Sequence, residues 1–483
     1  MKIFRIRGGV HPEGRKELTR EQAIVAMPMP ALLRLPLQQH IGAPAAPVVA
    51  VGDHVGKGQI IARAQGDVSA ALHAPTSGRI VAIDHLPAPH PSGLPQHSIV
   101  IEPDGRDQWA DLPQPIDDPF AAAPKTIAER VAACGIVGLG GATFPASVKL
   151  DLRSRHALDT LVINGAECEP YLTCDDRLMR ERPREIIDGV RIMAHALGVE
   201  RVIVAIENNK PQALAAMSLA ASGIPGLKVV GIPTRYPMGS ERHLVQALTG
   251  RETPARKLTA DIGVVVHNAA TAQAIHQAVR FGRPLVSRVV TVSGSGVGEP
   301  RNVEVPLGAL VSDLLEFCGG LTDPAPRLLS GGPMMGQPLP STDVPVVKGT
   351  SGILALTLAE TRLQPAQPCI RCGSCVSACP VGLVPVEMAA LVRKENLDGA
   401  AAAGVMDCIG CGSCAYICPA HIPLVQYFNY AKGRLNALQR DERKRDLVKR
   451  LVEARAARME KMARAKREAM GRNRPQAGTA TPA

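Results

Sequence analysis

The sequence predicts a multidomain α/β protein that ends in a cysteine-rich domain and a basic helix. Its 483 residues suffice for about three domains. Short β-branched runs alternate with helical stretches over residues 125–285, which is typical of a mainly parallel sheet flanked by helices. Eight of the twelve cysteines fall between residues 369 and 418. Apolar residues make up 46% of the chain and charged residues 20%, so we expect most of it to fold.

Residues 1–124 are predicted to form a β domain followed by a linker. Short apolar runs between glycine turns predict strands at Val48–Val51, Gln59–Ala64, Arg79–Asp84 and His97–Ile101. The strings VGDHVGKGQIIA and HAPTSGRIVAI resemble the barrel-sandwich fold of biotinyl and lipoyl carrier domains. Those carriers need a lysine on the hairpin between their two halves, and the hairpin at Gly66–His73 has none. We therefore expect the fold without the carrier function, and a proline-rich linker over 86–124.

Residues 125–285 are predicted to form the α/β domain. Its strands are short β-branched runs suited to burial on both faces, at Thr160–Asn164, Arg201–Ile206, Lys228–Ile232 and Ile262–His267. The helical stretches are Ile127–Cys134, Arg184–Leu197, Gln212–Ala221, Arg242–Leu248 and Ala270–Arg280.

The remaining chain divides into four further segments. Residues 286–340 are predicted to form a small β domain, with strands at Val289–Val292 and Asn302–Val305 and a helix at Leu310–Cys318. The proline- and glycine-rich character of Asp323–Gly352 predicts irregular structure, and we expect 341–366 to be a linker. Residues 367–430 hold the clustered cysteines, and 431–483 form a basic helical tail that is partly disordered.

Two near-copies of one cysteine run, CIRCGSCVSACP and CIGCGSCAYICP, have the spacing of a bacterial two-cluster ferredoxin. In that arrangement three thiolates of each run bind one 4Fe–4S cluster, and the fourth ligand comes from the other run. A structural zinc site uses only four ligands, so two interlocked sets that end in Cys-Pro argue against it. The spacing assigns one cluster to Cys369, Cys372, Cys375 and Cys418, and the other to Cys408, Cys411, Cys414 and Cys379.

A glycine-rich loop and three polar motifs indicate a binding site for a phosphate-bearing ligand. Gly138, Gly140 and Gly141 of GLGGATFP lead to Lys149, and backbone N–H groups beside a lysine suit a phosphate. The spacing fits neither a dinucleotide fingerprint nor a Walker loop, so tight packing is an alternative reason for the glycines. NGAECEP, YPMGSER and HNAAT each follow a predicted strand. We place all four motifs at carboxyl ends of predicted strands, where open α/β sheets bind ligands.

The same motifs resemble a known family. GLGGATFPASVKL, NGAECEPYLTCDDRLM, IENNKPQA and RYPMGSER are similar to the C subunit of the Rnf/Rsx electron-transport complex, an ion-translocating oxidoreductase. The similarity runs from GGVHP through SGGPMMG to ICPAHIPLVQYF. The α/β domain is also similar to the flavin- and NADH-binding subunit of respiratory complex I, in which a small β-grasp domain follows.

The resemblance implies non-covalent FMN in a Rossmann-like α/β domain, with NADH stacking over the flavin. The acids Glu167, Glu169 and Glu241 are the candidate catalytic residues that it implies. It assigns cofactor contacts to Gly138, Gly140, Gly141, Lys149, Asn164, Tyr236, Gly239, Asn268 and Thr271.

Departures from the complex I pattern keep other interpretations open. Leu139, Thr143, Ala166, Ser240 and Ala270 stand where that pattern has other residues, which leaves the activity of the NADH site open. One alternative is a relay subunit with a non-functional NADH site. Another is a soluble flavin and iron–sulfur cobalamin reductase, although such proteins place the barrel domain after the clusters. A non-enzymatic scaffold is disfavoured by eight intact ligands.

Charge is concentrated in the tail. The net charge is +11, of which the segment from Lys432 to the end contributes +10. With only 12 aromatic residues for base stacking, we expect no nucleic-acid partner. The tail is interpreted either as a solvated helix or as a docking element for anionic lipid or an acidic partner.

No secretory signal and no membrane-spanning run is found in the sequence. The resemblance implies a peripheral protein on the cytoplasmic side of the bacterial inner membrane. Its implied partners are the other subunits of the complex, NADH, and ferredoxin or a similar acceptor.

Overall fold

The computed structural model describes residues 3–322, 327–361 and 364–472. Its amino-terminal part consists of two small antiparallel sheets. The first strand of the chain, β1 (Val25–Ala26), joins a later sheet. The strands of the two small sheets are β2 (Leu33–Pro36), β3 (Ala46–Pro47), β4 (His54–Val55), β5 (Ile60–Arg63), β6 (Leu72–His73), β7 (Gly78–Pro87) and β8 (Pro95–Pro103). One sheet has the order β2-β8-β7-β4 and the other β3-β5-β6, which confirms the predicted barrel-sandwich architecture. A short 3₁₀ helix, Lys16–Leu18, precedes them.

Two predictions for this part are wrong in detail. The predicted strand at Val48–Val51 is absent, because β3 ends at Pro47 and Val51 lies in a turn with Gly52 at a φ of +100°. The strand predicted at His97–Ile101 is present as β8, with Ile99 and Ile101 completely buried, so the linker predicted over 86–124 is wrong for these residues. Proline content misled the linker prediction, since β8 begins and ends at a proline and has none between them.

The α/β domain has the predicted parallel sheet, in the order β11-β10-β9-β12. Its strands are β9 (Thr160–Gly165), β10 (Arg201–Glu207), β11 (Leu227–Ile232) and β12 (Val264–Asn268). The helices are α1 (Pro124–Ala133), α2 (Ala146–Leu150), α3 (Cys174–Glu181), α4 (Pro183–Leu197), α5 (Pro211–Ala220), α6 (Glu241–Thr249) and α7 (Ala269–Phe281), with 3₁₀ turns at Asp151–Ser154 and Thr259–Ile262.

The glycine-rich loop differs from its predicted position. It connects α1 to α2, and only an isolated bridge between Val137 and Pro145 closes its base. The element directly before the loop is the helix α1 and not a strand, so three of the four motifs, rather than all four, lie at carboxyl ends of strands.

The third region is a six-stranded mixed sheet. Its strands β13 (Ser287–Ser293), β14 (Arg301–Pro306), β15 (Arg327–Ser330), β16 (Gln337–Pro338) and β17 (Gly352–Leu356) join β1 in the order β1-β14-β13-β17-β15-β16. The helices here are α8 (Val311–Phe317) and α9 (Leu358–Thr361).

β17 corrects the predicted linker over 341–366. All five of its residues are buried, and it pairs with β13 on one side and β15 on the other. A strand in the middle of a sheet cannot be a linker. Part of the irregular stretch that we expected at Asp323–Gly352, namely residues 323–326, lies outside the described residues.

The cysteine-rich region is helical and continues into a long arm. Its helices are α10 (Ser374–Ala378), α11 (Pro385–Arg393), α12 (Leu397–Ala402), α13 (Ser413–Tyr416) and α14 (Leu424–Arg472), with a 3₁₀ turn at Val405–Asp407. This region has its own hydrophobic core, which includes the buried side chains of Met388, Val405 and Phe428. The predicted tail is helical as far as it is described, and residues 473–483 lie outside the described part.

The amino-terminal segment joins the cysteine-rich region to the α/β domain. The backbone N–H of Phe4 donates to Ala247 O at 2.8 Å, and that of Gly9 donates to Ala378 O at 2.9 Å. Val10 exchanges backbone hydrogen bonds with Tyr236 and packs with it against Cys411. This contact brings the second cysteine run to the edge of the parallel sheet.

Candidate cofactor site

A cavity of about 660 Å³ lies at the carboxyl edge of the parallel sheet. The ends of β9 and β12, the loop after β11 and the glycine-rich loop enclose it, and Ile409 and Cys411 complete one wall. The structure therefore brings together eleven of the twelve residues predicted for catalysis and cofactor binding: Gly138, Gly140, Gly141, Lys149, Asn164, Glu167, Glu169, Tyr236, Gly239, Glu241 and Asn268.

Thr271 is the predicted residue that does not line the cavity. Its side chain is fully buried in α7, and its hydroxyl accepts the backbone N–H of Leu139 at 2.9 Å. Thr271 therefore fixes the glycine-rich loop on α7, and its predicted contact with the cofactor stays a prediction.

The glycine-rich loop leaves open space for a ligand. Gly141 has a φ of +104°, and a Cβ atom added there would meet nothing within 4 Å. A Cβ at Gly140 would lie 3.3 Å from Cβ of Asn268, so the loop packs closely on the start of α7. Asn268 caps that helix by accepting the N–H of Ala270 at 2.8 Å. Exposed backbone donors and a helix start on one side of a cavity suit an anionic group.

Lys149 and Glu241 form a pair on the cavity wall. Lys149 Nζ donates to Glu241 Oε2 and to Val266 O, each at 3.0 Å. The hydroxyl of Thr259 donates to Glu241 Oε1 at 2.6 Å. The predicted phosphate lysine and the predicted catalytic acid thus compensate each other's charge in this structure.

Asn164 joins the end of β9 to the loop that follows β11. Its Nδ2 donates to Gly239 O at 2.8 Å, and its Oδ1 accepts the N–H of Ala166 at 3.1 Å. The N–H of Gly239 donates to Cys168 Sγ at 3.3 Å, and a Cβ at Gly239 would come within 2.9 Å of that sulfur. Glycine is needed at 239 because the loop passes so close to Cys168.

Glu167 serves as a helix cap. Its carboxylate accepts the N–H groups of Asp175 at 2.7 Å and Asp176 at 3.2 Å, at the start of α3. Burial, and then the charge of Glu167, raises the pKa of Asp175 to about 6. The predicted catalytic role of Glu167 stays a prediction, and the geometry gives it a structural one.

Glu169 and Tyr236 lie where the cavity meets the second cysteine run. Burial raises the pKa of Glu169 to about 7, and its carboxylate accepts the N–H of Met334 at 3.0 Å. The hydroxyl of Tyr236 donates to Cys411 O at 2.7 Å and approaches Glu169 Oε1 at 3.4 Å. The tyrosine hydroxyl therefore links Glu169 on the cavity wall to the backbone of the cysteine run.

Several residues of the site were missed by the sequence analysis. Lys16 is buried and donates to the backbone oxygens of Glu167 and Glu169, each at 2.9 Å. Burial lowers its pKa. No local pattern marks Lys16, whereas SGGPMMG was visible as a motif without an assigned role. That segment contributes residues to the cavity wall: Ser330, Gly331, Gly332, Met335 and Gly336.

His267 carries an unpartnered buried atom at this cavity. The residue lines the cavity and is 4% exposed, and its Nε2 has no hydrogen-bond partner among the described residues. Burial, and then the charge of Lys149, lowers the pKa of His267 to about 3, so the ring is neutral. A buried polar atom without a partner costs free energy, and a bound polar group that reached it would remove that cost. The open loop, the helix start and this imidazole together fit a phosphate-bearing cofactor.

The cysteines lie in two loops of different exposure. Cys411 and Cys414 are buried, whereas Cys369 and Cys372 are exposed. Gly373 and Gly412, at φ values of +76° and +79°, each begin the short helix that follows their loop.

Neighbouring cysteines affect one another's ionisation across the two runs. Burial, followed by Cys411, Cys408 and Cys379, raises the pKa of Cys414 to about 12. The pKa of Cys375 is raised mainly by burial and slightly by Cys418. Thiol sulfurs in this arrangement are the donors that iron–sulfur clusters require, and a cluster's iron offsets the cost of ionising them. The crossed ligand assignment stays a prediction that this arrangement fits.

Family comparisons cover most of the chain. Residues 4–106 match the RnfC barrel sandwich hybrid domain and residues 131–277 match the Nuo51 FMN-binding domain. Residues 289–338 match the SLBB domain and residues 363–419 match a 4Fe-4S dicluster domain. The predicted barrel-sandwich, flavin, β-grasp and two-cluster folds are therefore confirmed.

The C subunit of the ion-translocating oxidoreductase complex of Rhodobacter capsulatus is 60% identical over 441 residues, which is 91% of this chain and 85% of that protein. The chain belongs to this family of C subunits. The C subunit of the same name from Pseudomonas aeruginosa is 46% identical over 94% of this chain and 58% of its own length. The C subunit of the proton-translocating ferredoxin:NAD(+) oxidoreductase complex of Clostridium ljungdahlii is 45% identical over 88% of this chain and 93% of its own.

Membership of this family confirms the main interpretation over the cobalamin reductase. The chain carries an FMN-binding domain and a dicluster domain, as predicted. Among the described residues, no helix is both long and apolar enough to cross a membrane.

Proposed function

We propose that this chain exchanges electrons between NAD(H) and two 4Fe–4S clusters, by way of FMN, within a membrane-bound complex. The complex would couple electron transfer between NAD(H) and ferredoxin, or another iron–sulfur acceptor, to ion translocation. The printed names of the relatives support this, since one belongs to a proton-translocating ferredoxin:NAD(+) oxidoreductase complex. We place the chain peripherally on the cytoplasmic side of the bacterial inner membrane.

The observation that carries the proposal is the wall shared by the cavity and the second cysteine run. The hydroxyl of Tyr236 donates to Cys411 O at 2.7 Å, and Ile409 and Cys411 line the cavity. FMN supplies hydride chemistry whose electrons can be passed on singly, and 4Fe–4S clusters supply one-electron transfer. A cofactor in the cavity would therefore adjoin a one-electron centre directly.

The residues that would hold the flavin form two groups, those that are free to bind it and those that already bond to other parts of the protein. The backbone at Gly141, where a Cβ atom would meet nothing within 4 Å, and Nε2 of His267 are open to a new partner. The backbone N–H of Gly138 already donates to Phe144 O at 2.8 Å, and Gly140 packs on Asn268. Asn164 and Asn268 mainly orient the loops that frame the cavity. Tyr236 orients the cysteine run, and burial keeps its hydroxyl protonated by raising its pKa.

The exposure of the two cysteine runs suggests a direction through the protein. The run at Cys408–Cys414 adjoins the cavity, whereas Cys369 and Cys372 of the first run are exposed. We therefore assign exchange with the flavin to the second run and exchange with other subunits to the first.

A relay subunit without an active NADH site is the second candidate. Its support is that several predicted ligands already satisfy one another, as in the Lys149–Glu241 pair and in Asn268, whose Nδ2 donates to Asp175 at 2.6 Å. These pairs must open before their side chains can bind a dinucleotide.

Anaerobic purification with iron and flavin analysis tests both candidates. We expect about eight iron atoms and one FMN per chain, with the flavin bleached by NADH. Eight iron atoms without flavin would favour the relay and overturn the dehydrogenase.

A tyrosine substitution tests the shared wall. Tyr236→Phe keeps the ring and removes the donor to Cys411 O, so NADH should still bleach the flavin while cluster reduction slows. Tyr430→Phe, on α14 and bonded to Glu395, is the matched control and should change neither rate. Equal cluster reduction in both variants would contradict the assigned route.

A further inference from the structure

The helix α14 continues far beyond the domain that it belongs to. Its first turns are buried against the cysteine-rich core through Leu424, Phe428, Ala431 and Leu435. From Leu438 to Glu468 every residue is exposed, which at 1.5 Å per residue is an arm of about 45 Å. The arm begins shortly after the last predicted cluster ligand, Cys418.

The apolar residues of this arm share one side. Turning about 100° per residue places six large apolar side chains, each 55–62% exposed, within one half of the helix surface. We call this half the apolar face, and its large side chains are Leu447, Val448, Leu451, Val452, Met459 and Met462.

Charges are divided between the two halves unequally. The apolar face carries six basic residues and a single acid, Asp441. Its basic members are Arg440, Lys444, Arg445, Arg455, Arg458 and Lys466. The opposite half holds six basic residues and the other five acids, Glu442, Asp446, Glu453, Glu460 and Glu468. Five net positive charges therefore lie beside exposed apolar side chains, while the opposite half is nearly neutral.

This division fits a surface that is anionic outside and apolar beneath. Lys and Arg side chains are long enough to keep their charge among lipid headgroups while leucine, valine and methionine enter the interface. Basic residues next to a membrane are attracted by anionic lipids. Acids would be repelled, and they are almost confined to the half that would face water.

A second copy of the chain fits this face less well. A paired coiled coil needs an uninterrupted apolar seam with a spacing of three and four residues. Arg455 and Arg458 interrupt that seam in its middle, between Leu451 and Met462. The positive charge of the whole arm would also oppose pairing with itself.

We propose that the apolar face of α14 binds the interface of an anionic phospholipid bilayer. Membrane binding through this arm would hold the cysteine-rich domain at the bilayer independently of contacts with other subunits. The proposal goes beyond the electron-transfer function and does not depend on it.

The test is co-sedimentation of the full-length chain, purified anaerobically, with vesicles. One set is phosphatidylcholine alone, and the other contains about one-third phosphatidylglycerol. We expect binding to the anionic vesicles only, weakening as salt is raised because screening reduces the attraction.

Two double variants of equal charge separate a specific face from a diffuse cationic helix. Lys444→Gln with Arg455→Gln removes two charges from the apolar face, and Arg443→Gln with Arg450→Gln removes two from the opposite half. The first should lower partitioning into anionic vesicles about tenfold or more, and the second by less than about threefold. Leu451→Ser with Met462→Ser, which leaves the charge unchanged, should also lower it about tenfold. Iron content, measured for each variant, shows that the cluster domain is intact.

Three results would overturn the proposal. Failure of the wild-type chain to bind anionic vesicles would remove it. Equal losses in the two charge variants would reduce the arm to a non-specific polycation. A salt-stable dimer in sedimentation that Leu451→Ser with Met462→Ser abolishes would assign the face to a second copy.

Discussion

Lys348 is a fully buried lysine that connects three segments of the protein. Its Nζ donates to Ala71 O on the barrel-sandwich hairpin and to Gly135 O before the glycine-rich loop, each at 2.7 Å. Its own backbone N–H donates to Oε1 of Gln39. Among the described residues it forms no salt bridge. Burial lowers its pKa from 10.5 to about 7.

The substitution Lys348→Met should have an effect that grows with pH. Below about pH 7 the folded and unfolded chains both carry the charge, and burying that charge destabilises the folded chain. Between about pH 7 and 10.5 the folded lysine is neutral while the unfolded one still binds a proton, so stability rises with pH. The slope approaches about 1.4 kcal/mol per pH unit above pH 7, and the rise from pH 7 to pH 9 is about 2 kcal/mol, because the folded lysine is still half protonated at pH 7. Methionine cannot titrate and removes this slope.

The two carbonyl oxygens that lose their donor add a contribution that does not depend on pH. Each buried acceptor left without a partner costs about 1–3 kcal/mol. The variant should therefore be clearly less stable than the wild type at pH 9 and much closer to it at pH 7.

Hydrogen exchange at amides near Ala71 and Gly135 measures the local stability around Lys348. In a chain of several domains this is more informative than a single melting temperature. The exchange free energies must be corrected for the intrinsic pH dependence of exchange. Lys228→Met, at an exposed position on β11, is the matched control and should leave the slope unchanged. A difference between wild type and Lys348→Met that stays constant from pH 7 to pH 9 would refute the reasoning.

Three further predictions concern the site. Cys379→Ala should abolish the cluster assigned to the second run, and Cys418→Ala should abolish the cluster assigned to the first. Electron paramagnetic resonance of the reduced proteins shows which cluster remains in each variant. Loss of the first-run cluster in Cys379→Ala and of the second-run cluster in Cys418→Ala would contradict the crossed assignment. Glu169→Gln should remove a fall in stability between about pH 4.5 and 7, because the folded chain keeps a proton there that the unfolded chain loses; unfolding at several pH values checks it. His267→Leu should weaken FMN binding about tenfold or more, yet stabilise the flavin-free protein by about 1–3 kcal/mol because it removes an unpartnered buried nitrogen. His267→Asn should retain affinity for FMN. Fluorescence titration measures the affinity, and thermal unfolding measures the stability.

The parallel sheet was predictable because its central strands, β9 and β10, are buried on both faces. Thr160–Gly165 and Arg201–Glu207 are continuous β-branched runs between helices, and their bounds differ from the prediction by one residue. The cysteine runs were equally visible, since ligand spacing is local in the sequence. Eleven cavity residues could be named because their motifs follow strands or form the glycine loop.

The residues that were missed depend on contacts between distant segments. β17 is an apolar run of five residues beyond a proline- and glycine-rich stretch, and only its pairing with β13 makes it a strand. Lys16 and Lys348 look like surface lysines in the sequence, because nothing local reveals the backbone oxygens that surround them. Thr271 was assigned to the ligand for the opposite reason: its motif is local, but its hydroxyl is used by the protein's own loop.

The cavity and the second cysteine run depend on each other for their shape. Tyr236 and Val10 exchange backbone hydrogen bonds, and the Tyr236 hydroxyl donates to Cys411 O. The same cysteine run supplies Ile409 to the cavity wall. Binding of a cluster by Cys408, Cys411 and Cys414 would therefore order one wall of the flavin cavity, and loss of that cluster should loosen it. Loss of the second-run cluster should therefore be accompanied by loss of flavin, whereas loss of the cluster of the exposed first run should leave the flavin bound.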